Sequence, residues 1–411
     1  MESEFLEFVL AVVIIIVAAK LGGYISTRFN QPSVLGELLA GLLLGPTVLD
    51  MLHNWTMLFH NPELLGELLG IMAELGVILL MLLAGLELHL PELLSAGKVS
   101  SLSGILGVVV PLGLGYGAAV LFDASATEAL FLGLTLAATS VSISAQTLME
   151  LNVLRSRVGL ALLGAAVFDD ILVILVLSIA FVLVGDGAGG ISGVLLTILN
   201  MVLYVGAATA IGLWVLPWLA QKIDQLPISK GTLAFVLIIS LLFAYAAEVF
   251  GGMAAITGAF LAGLFLGRTP LKAKMEEGIS VLAYAFFVPI FFVEIGLEVN
   301  LRAISGSAWW FAAVFTVIAI ISKIAGSGLG AKMGGFTNRE AFQLGIGMVS
   351  RGEVGLIVAA FALSSGLITP EQFSIGVFMV IIATLVTPPM LRAAFAAPKK
   401  PAPSRKESRT S

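Results

Sequence analysis

The sequence predicts an all-α polytopic membrane protein with about thirteen transmembrane helices, and three observations support this fold class. Of the 411 residues, 59% are hydrophobic and 11% are charged, with a mean hydropathy of +1.08; a soluble domain is about 45–50% apolar and about 25% charged. Apolar stretches of roughly 17–25 residues, enough for a helix to cross a bilayer, recur from end to end. They are too long and too continuously apolar for the alternating strands of a membrane barrel.

The predicted spans follow one another with short connections. Residues 1–29 lack the basic region and the small-residue cleavage site of a signal peptide, so the first span is expected to be retained. The second and ninth spans are short and bounded by turns, which makes their ends the least defined. The thirteen spans are predicted at 4–26, 33–49, 66–89, 98–122, 127–150, 157–184, 191–221, 230–250, 253–267, 278–298, 303–333, 339–365 and 371–395.

The basic residues predict the orientation. Of the 21 lysines and arginines, all except Lys323, Arg351 and Arg302 fall in connections on one side of the predicted bundle or in the tail. By the positive-inside rule this side is cytoplasmic. With an odd number of spans, the N-terminus is then outside the cell and the C-terminus is cytoplasmic. The last residues, 397–411, read as a disordered basic cytoplasmic tail with no attached soluble domain.

Residue types that support metal, thiol or enzymatic chemistry are scarce. The absence of cysteine excludes disulfides and thiolate metal sites. His53, His60 and His89 have no ligand-like spacing. We therefore expect no cofactor and no resident metal. No catalytic residues and no nucleic-acid partner are expected either.

Two adjacent carboxylates, Asp169 and Asp170, lie near the middle of the sixth predicted span. A charge at mid-bilayer costs at least roughly 2.5–3.5 kcal/mol on insertion scales, so such residues need a compensating role. Neighbours on a helix are about 100° apart, so the two face different directions and cannot easily share one proton. This favours two tasks, with one acid facing a partner and the other a water-filled cavity.

A partner for one of the two acids is available in Lys323, the only lysine deep within a predicted span. Pairing a buried lysine with a buried carboxylate favours both charged forms. One aspartate paired with Lys323 would leave the other to bind a cation or a proton.

Two further spans are predicted to be interrupted. In the fifth, four hydroxyl side chains occur in six residues, at Thr139, Ser140, Ser142 and Ser144; in the twelfth, glycines surround Arg351 and Glu353, which we expect to compensate each other as a structural pair. Interrupted helices in corresponding positions of two halves indicate the substrate site of a transporter, because unwound carbonyls and half-helix ends stabilise ions.

These segments together resemble the monovalent cation:proton antiporter superfamily. The resemblance lies in Ala138-Thr-Ser-Val-Ser-Ile-Ser-Ala, Gly164-Ala-Ala-Val-Phe-Asp-Asp, Ser322-Lys-Ile, Gly347-Met-Val-Ser-Arg-Gly-Glu-Val-Gly-Leu-Ile and the early Gln31-Pro-Ser-Val-Leu-Gly-Glu. It covers residues 5–395. The Asp-Asp pair is similar to that of the electrogenic sodium/proton antiporters. One departure is Ser350, where relatives often have proline.

The resemblance implies an inverted-repeat antiporter fold with two discontinuous crossing helices, in which a dimerising scaffold supports a moving core. It implies scaffold helices in 1–96 and 225–300, core transport helices in 97–184 and 301–396, and a linking helix in 185–224.

The resemblance also implies the roles of the site residues. Asp170 matches the ion- and proton-binding aspartate, Asp169 the aspartate that pairs with Lys323, and Thr139 and Ser140 the unwound segment beside the site. The implied activity is exchange of Na⁺, or Li⁺, for H⁺ across the cytoplasmic membrane by alternating access, in a homodimer.

Three alternatives to sodium/proton exchange have different requirements. A potassium/proton exchanger on the same fold would use the same carboxylate and hydroxyl oxygens. A cation channel predicts a continuous polar lining or a filter loop, and the sequence shows neither. An intramembrane aspartyl protease needs its two aspartates on facing helices.

Overall fold

The computed structural model of the protein is all-helical throughout the part of the chain that it describes, in agreement with the sequence prediction. The predicted tail, 397–411, lies outside the described residues. The described residues are 2–55, 57–87, 96–184, 190–297, 302, 306 and 308–396.

The first half of the chain begins with a long helical hairpin and reaches the paired aspartates in its last span. The connections between helices are short, as is usual in helical bundles. Its helices are α1 (Glu2–Arg28), α2 (Ser33–Leu44), α3 (Met51–Asn54), α4 (Pro62–Glu87), α5 (Gly97–Leu121), α6 (Ala126–Ala137), α7 (Val141–Glu150) and α8 (Arg157–Val184).

The second half contains two spans that pass through a π-helical turn, at Ile211–Val215 and at Ala283–Phe287. Its helices are α9 (Gly190–Ala210), α10 (Leu216–Asp224), α11 (Gly231–Val249), α12 (Ala255–Leu266), α13 (Lys272–Leu282), α14 (Val288–Leu297), α15 (Ala308–Met333), α16 (Asn338–Gly347), α17 (Glu353–Ser364) and α18 (Pro370–Phe395).

The prediction of about thirteen spans is confirmed. Within the described residues, ten helical stretches are long and apolar enough to cross a bilayer. Two shorter apolar helices, α2 and α12, are the second and ninth predicted spans, and the pair α16–α17 is the twelfth. Both interruptions expected in the fifth and twelfth spans are present, at 138–140 and 348–352.

Among the span ends that differ from the prediction, two have a clear physical reason. The second span ends at Leu44 rather than at residue 49, because Gly45 leaves the helix in an extended conformation and a turn follows. The tenth begins at Lys272 rather than at 278, because the polar segment 272–277 continues the helix instead of forming a loop. The charged residues of 272–277 predict a connection between spans, but in the structure they form the first turns of the helix.

The helices pack in two groups. In one, α5 packs against α6, α8 and α15, and α15 packs against α16 and α18. In the other, α4 packs against α12 and α14, α11 against α12, and α2 against α1 and α14. The half-helix α7 lies between them, because it contacts α2 and α4 on one side and α8 and α18 on the other. The paired aspartates on α8 therefore belong to the first group.

Small residues allow the closest helix contacts. A side-chain carbon added to Gly263 on α12 would collide with the backbone carbonyl of Leu82 on α4. We expect Gly263→Val to destabilise the protein by about 1–3 kcal/mol, the usual cost of overpacking, seen as a lower melting temperature in detergent. Gly206→Val is the matched control, because Gly206 is exposed and has no atom within 4 Å of such a carbon. Equal melting temperatures would contradict the tight α4–α12 contact.

Candidate functional site

The two interrupted spans cross at their interruptions and satisfy each other's backbone groups. The Ser140 backbone N–H donates to the Ser350 carbonyl at 3.0 Å, and the Ser350 hydroxyl donates to the Ser140 carbonyl at 2.5 Å. One turn away, the Ser144 hydroxyl donates to the Gly347 carbonyl at 2.5 Å. Irregular backbone is tolerated at membrane depth where protein groups replace the missing hydrogen bonds. Each interrupted span supplies one of the hydroxyl donors, Ser144 from the fifth and Ser350 from the twelfth.

Lys323, in the middle of α15, has three acceptors for its three N–H donors. Its Nζ lies 2.6 Å from Asp169 Oδ1, 2.6 Å from the Gly107 carbonyl and 2.8 Å from the Ala137 carbonyl. Lys323 and Asp169 are both fully buried, at 0% side-chain exposure. A buried ion pair offsets its desolvation cost only when its remaining donors and acceptors are also used. Here the ammonium group is fully coordinated, whereas Asp169 Oδ2 has no hydrogen bond among the described residues.

The Ala137 carbonyl explains why a cation lies at this position. Ala137 is the last residue of α6, so its carbonyl belongs to the negative end of a half-helix that stops inside the bundle. A positive charge is stabilising at the carboxyl end of a helix. Lys323 therefore compensates both the Asp169 carboxylate and the end of α6.

Arg351 has the corresponding position at the other interruption. Its guanidinium is fully buried and donates to the Met348 carbonyl at 3.1 Å, just beyond the end of α16, and to the Ala319 carbonyl at 3.3 Å. Each half-helix that ends inside the bundle thus has one buried cation at its carboxyl end. The expected pairing with Glu353 lies outside the described residues, because the side chain of Glu353 is not among them.

Asp170 faces away from this ion pair. Its side chain is 6% exposed and lies on a small cavity of about 10 Å³ between α4, α7, α8 and α12. The Thr257 hydroxyl on α12 donates to Asp170 Oδ2 at 3.3 Å. The two neighbouring aspartates therefore contact different helices, with Lys323 beside one and a cavity beside the other.

The two hydroxyl residues predicted at the site lie in the interruption between α6 and α7. Thr139 is 3% exposed and Ser140 is fully buried. The Ser140 hydroxyl is hydrogen-bonded to that of Ser142 at 2.9 Å. Ser140 is the N-terminal cap of α7, so the positive end of that half-helix begins beside the aspartates' helix.

Sequence reasoning missed Thr257 and the two carbonyls that bind Lys323. Thr257 lies in the short ninth span, whose length and flanking turns were the one available signal. The carbonyls of Gly107 and Ala137 could not be found from residue types, because every residue carries a carbonyl group. The interruption after Ala137 nevertheless indicates that nearby carbonyls are available to a cation.

Comparisons with known proteins give a consistent result over nearly the whole chain. Residues 13–397 match the family described as "Sodium/hydrogen exchanger, transmembrane". The chain is 41% identical over 395 residues to the Na⁺/H⁺-K⁺ antiporter GerN of Bacillus cereus, with 96% of this chain and 98% of that protein covered. It is 36% identical over 388 residues to a Na⁺/H⁺ antiporter of Enterococcus hirae, with 94% and 98% covered.

The fold is also similar to a solved structure. The sodium proton antiporter MjNhaP1 of Methanocaldococcus jannaschii superimposes with a TM-score of 0.69 at 16% sequence identity, and the match covers 95% of this chain and 97% of that one. At this identity the likeness concerns the fold alone.

Proposed function

The chain belongs to the sodium/hydrogen exchanger family, and from that premise we propose that it exchanges Na⁺, or Li⁺, for H⁺ at Asp170. It is a multi-pass membrane protein and a monovalent cation/proton antiporter rather than an enzyme. The observation that carries the proposal is the buried Asp170 carboxylate on a cavity, next to an aspartate whose charge is already compensated by Lys323.

The proposed mechanism is competition for one carboxylate. Asp170 binds either a proton or a dehydrated cation, and each ligand neutralises its charge. An empty, charged site is too costly to carry through the bilayer, so only a loaded site crosses. Because one ligand must leave before the other binds, the two ions move in opposite directions.

The other site residues keep Asp170 in position and available. Asp169 and Lys323 hold α8 against α15 and the end of α6, with all three contacts of the ammonium group below 3 Å. Thr139 and Ser140, at the α6–α7 interruption, provide hydroxyl and carbonyl oxygens beside α8. Oxygen ligands of this kind suit a hard monovalent cation. We assign them a supporting role in cation binding.

The packing of the helices supports a division into scaffold and core. We propose that 97–184 and 301–396 form the moving core and that 1–96 and 225–300 form the scaffold, linked by 185–224. In support, α5 packs against α6, α8 and α15 in the first set, whereas α4 packs against α12 and α14 in the second. Asp170 is then carried by the core, and the cavity beside it is shared with the scaffold helices α4 and α12.

The orientation and assembly are proposed from the sequence pattern and the family. Basic residues concentrate in the connections on one side, which supports a cytoplasmic C-terminus and an external N-terminus in the cytoplasmic membrane. A homodimer formed through the scaffold is the proposed assembly. Crosslinking of single cysteines in this cysteine-free chain would test both the dimer and the side of the membrane on which each loop lies.

K⁺ is the second candidate substrate, because the name of the relative GerN includes K⁺ as well as Na⁺. Purified protein in vesicles with an internal pH-sensitive dye separates the candidates. We expect Na⁺ and Li⁺ to dissipate an imposed proton gradient and K⁺ to do so weakly. Dissipation by K⁺ alone would replace Na⁺ with K⁺ as the substrate, and no response to any of the three ions would overturn the proposal.

The pair of aspartates predicts that exchange moves net charge. One proton exchanged for one monovalent cation at Asp170 moves no net charge. The electrogenic cycle implied by the Asp-Asp motif therefore requires a second proton, and the hypothesis is that the Asp169–Lys323 pair carries it. One charge moved through 100 mV is worth about 2.3 kcal/mol, so an imposed potential should change the exchange rate strongly. The measurement uses vesicles with a potassium–valinomycin potential of either sign. Equal rates at both potentials would indicate an electroneutral cycle.

A further inference from the structure

The cavity beside Asp170 has an uneven chemical lining. Of the described residues that line it, Asp170 and Thr257 carry polar side chains, and the others, among them Met81, Val141 and Phe260, are apolar. A dehydrated cation is unstable against apolar walls and requires oxygen ligands. The side-chain oxygens that this lining offers it are therefore the Asp170 carboxylate and the Thr257 hydroxyl.

The hydroxyl of Thr257 is suited to every charge state of Asp170. It has one O–H donor and two acceptor lone pairs, and it rotates to suit its partner. It donates to the carboxylate in this structure, at 3.3 Å from Oδ2. It can accept from the protonated carboxyl, and its lone pairs can bind a cation that lies against Asp170. A valine at this position would keep the shape and lose all three interactions.

Thr257 is held by helices other than the one that carries Asp170. On α12, the neighbouring Gly258 lies against the Phe243 carbonyl of α11, and Gly263 lies against the Leu82 carbonyl of α4. These close backbone contacts pack α12 tightly against α11 and α4. The Thr257–Asp170 hydrogen bond therefore joins α8 to the group formed by α4, α11 and α12.

We propose that Thr257 is a ligand of the transported cation, supplied by the scaffold to the ion-binding aspartate of the core. This inference rests on the proposed function of Asp170. Because the ligand comes from the scaffold, the cation has its full set of oxygens when Asp170 faces the cavity and loses one of them as the core moves away. Thr257 thus strengthens cation binding in the conformation described here.

The test compares Thr257→Val with Thr257→Ser in reconstituted vesicles. Loss of one ligand oxygen is worth roughly 1 kcal/mol or more, so Thr257→Val should raise the KM for Na⁺ about five- to tenfold, with kcat changed less than about twofold. Thr257→Ser keeps the oxygen and should restore the KM. Thr316→Val is the matched control: Thr316 is equally buried at 4% exposure, but its hydroxyl donates within its own helix to the Ala312 carbonyl.

A binding measurement separates the ligand role from a structural one. Na⁺ should raise the melting temperature of the wild type in detergent. This Na⁺-dependent rise should shrink in Thr257→Val, beyond any lower melting temperature without Na⁺ that follows from loss of the hydrogen bond to Asp170. An unchanged KM and an unchanged Na⁺-dependent rise in Thr257→Val would overturn the proposal. Failure of Thr257→Ser to restore the KM would also overturn it, because packing rather than the oxygen would then be responsible.

The outcome for Thr257 is distinguishable from the outcome for the proposed function. If the wild type exchanges Na⁺ and Asp170→Asn does not, the function stands and the Thr257 variants are judged by their own KM values. If the wild type exchanges none of Na⁺, Li⁺ and K⁺ and is not stabilised by any of them, both proposals are overturned.

Discussion

Asp170→Asn is expected to reduce exchange in reconstituted vesicles to the background of protein-free vesicles. The amide has no charge to neutralise, so it cannot alternate between a proton and a cation. Its carbonyl oxygen can still accept the hydrogen bond that Thr257 donates to Asp170 at 3.3 Å. The variant should therefore insert, fold and melt like the wild type.

The control for this variant is Asp123→Asn. Asp123 is exposed in the turn after α5 with a φ of 63°, a conformation that asparagine also adopts readily. Asp123→Asn should exchange at the wild-type rate. If Asp170→Asn exchanged ions at the wild-type rate, Asp170 would not be the ion-binding residue, regardless of the result for Asp123→Asn.

Separating Asp169 from Lys323 is expected to have the largest effect on stability. Either Asp169→Ala or Lys323→Ala leaves one fully buried charge without its partner at 2.6 Å, which typically costs roughly 3–5 kcal/mol. The double variant should lose less than the sum, because neither charge is then left alone. Melting curves of the three variants in detergent, at fixed pH and Na⁺ concentration, measure this coupling.

A second double-mutant cycle, between Lys323 and Asp170, tests which of the two aspartates is paired with the lysine. Lys323→Ala combined with Asp170→Asn should show a smaller coupling than Lys323→Ala combined with Asp169→Ala, because Lys323 is hydrogen-bonded to Asp169 whereas Asp170 accepts from Thr257 on α12. Lys323→Ala should remain destabilising in both backgrounds, because Lys323 also binds the carbonyls of Gly107 and Ala137. A larger coupling to Asp170 would reverse the two assignments, and simple additivity for both would mean that the ion pair contributes nothing.

Much of the fold followed from hydrophobic length alone. In lipid, the backbone N–H and C=O groups of a span must form hydrogen bonds within the segment, so a long apolar run predicts a single helix. The sixth span, predicted at 157–184, is found at Arg157–Val184. The interruptions were also predictable, because hydroxyls and glycines replace the apolar residues there.

Contacts between spans were harder to derive, because they depend on which helices become neighbours. The prediction that one of the adjacent aspartates faces Lys323 needed only the helical period and the scarcity of buried lysines. The Thr257–Asp170 contact joins residues 87 positions apart and involves a hydroxyl group of a common type. Likewise, the π-helical turns at Ile211–Val215 and Ala283–Phe287 have no distinctive residue pattern in the sequence.

The two buried cations, Lys323 and Arg351, compensate the ends of interrupted helices as well as charged side chains. Lys323 and Arg351 were singled out as charges that need a partner within the membrane. In the structure, each also lies at the carboxyl end of an interrupted helix, at the carbonyls of Ala137 and Met348. A search for oppositely charged side chains alone underestimates how well such buried cations are stabilised, because backbone carbonyls at the helix ends also compensate their charge.

The measurement that tests the central claim most directly is the KM for Na⁺ as a function of pH in reconstituted vesicles. If one proton and one cation compete for Asp170, the KM should rise as pH falls, approaching about tenfold per pH unit, while the maximal rate at saturating Na⁺ stays constant. A KM that does not depend on pH, with a maximal rate that falls instead, would mean that the proton and the cation bind at separate sites and would contradict the account.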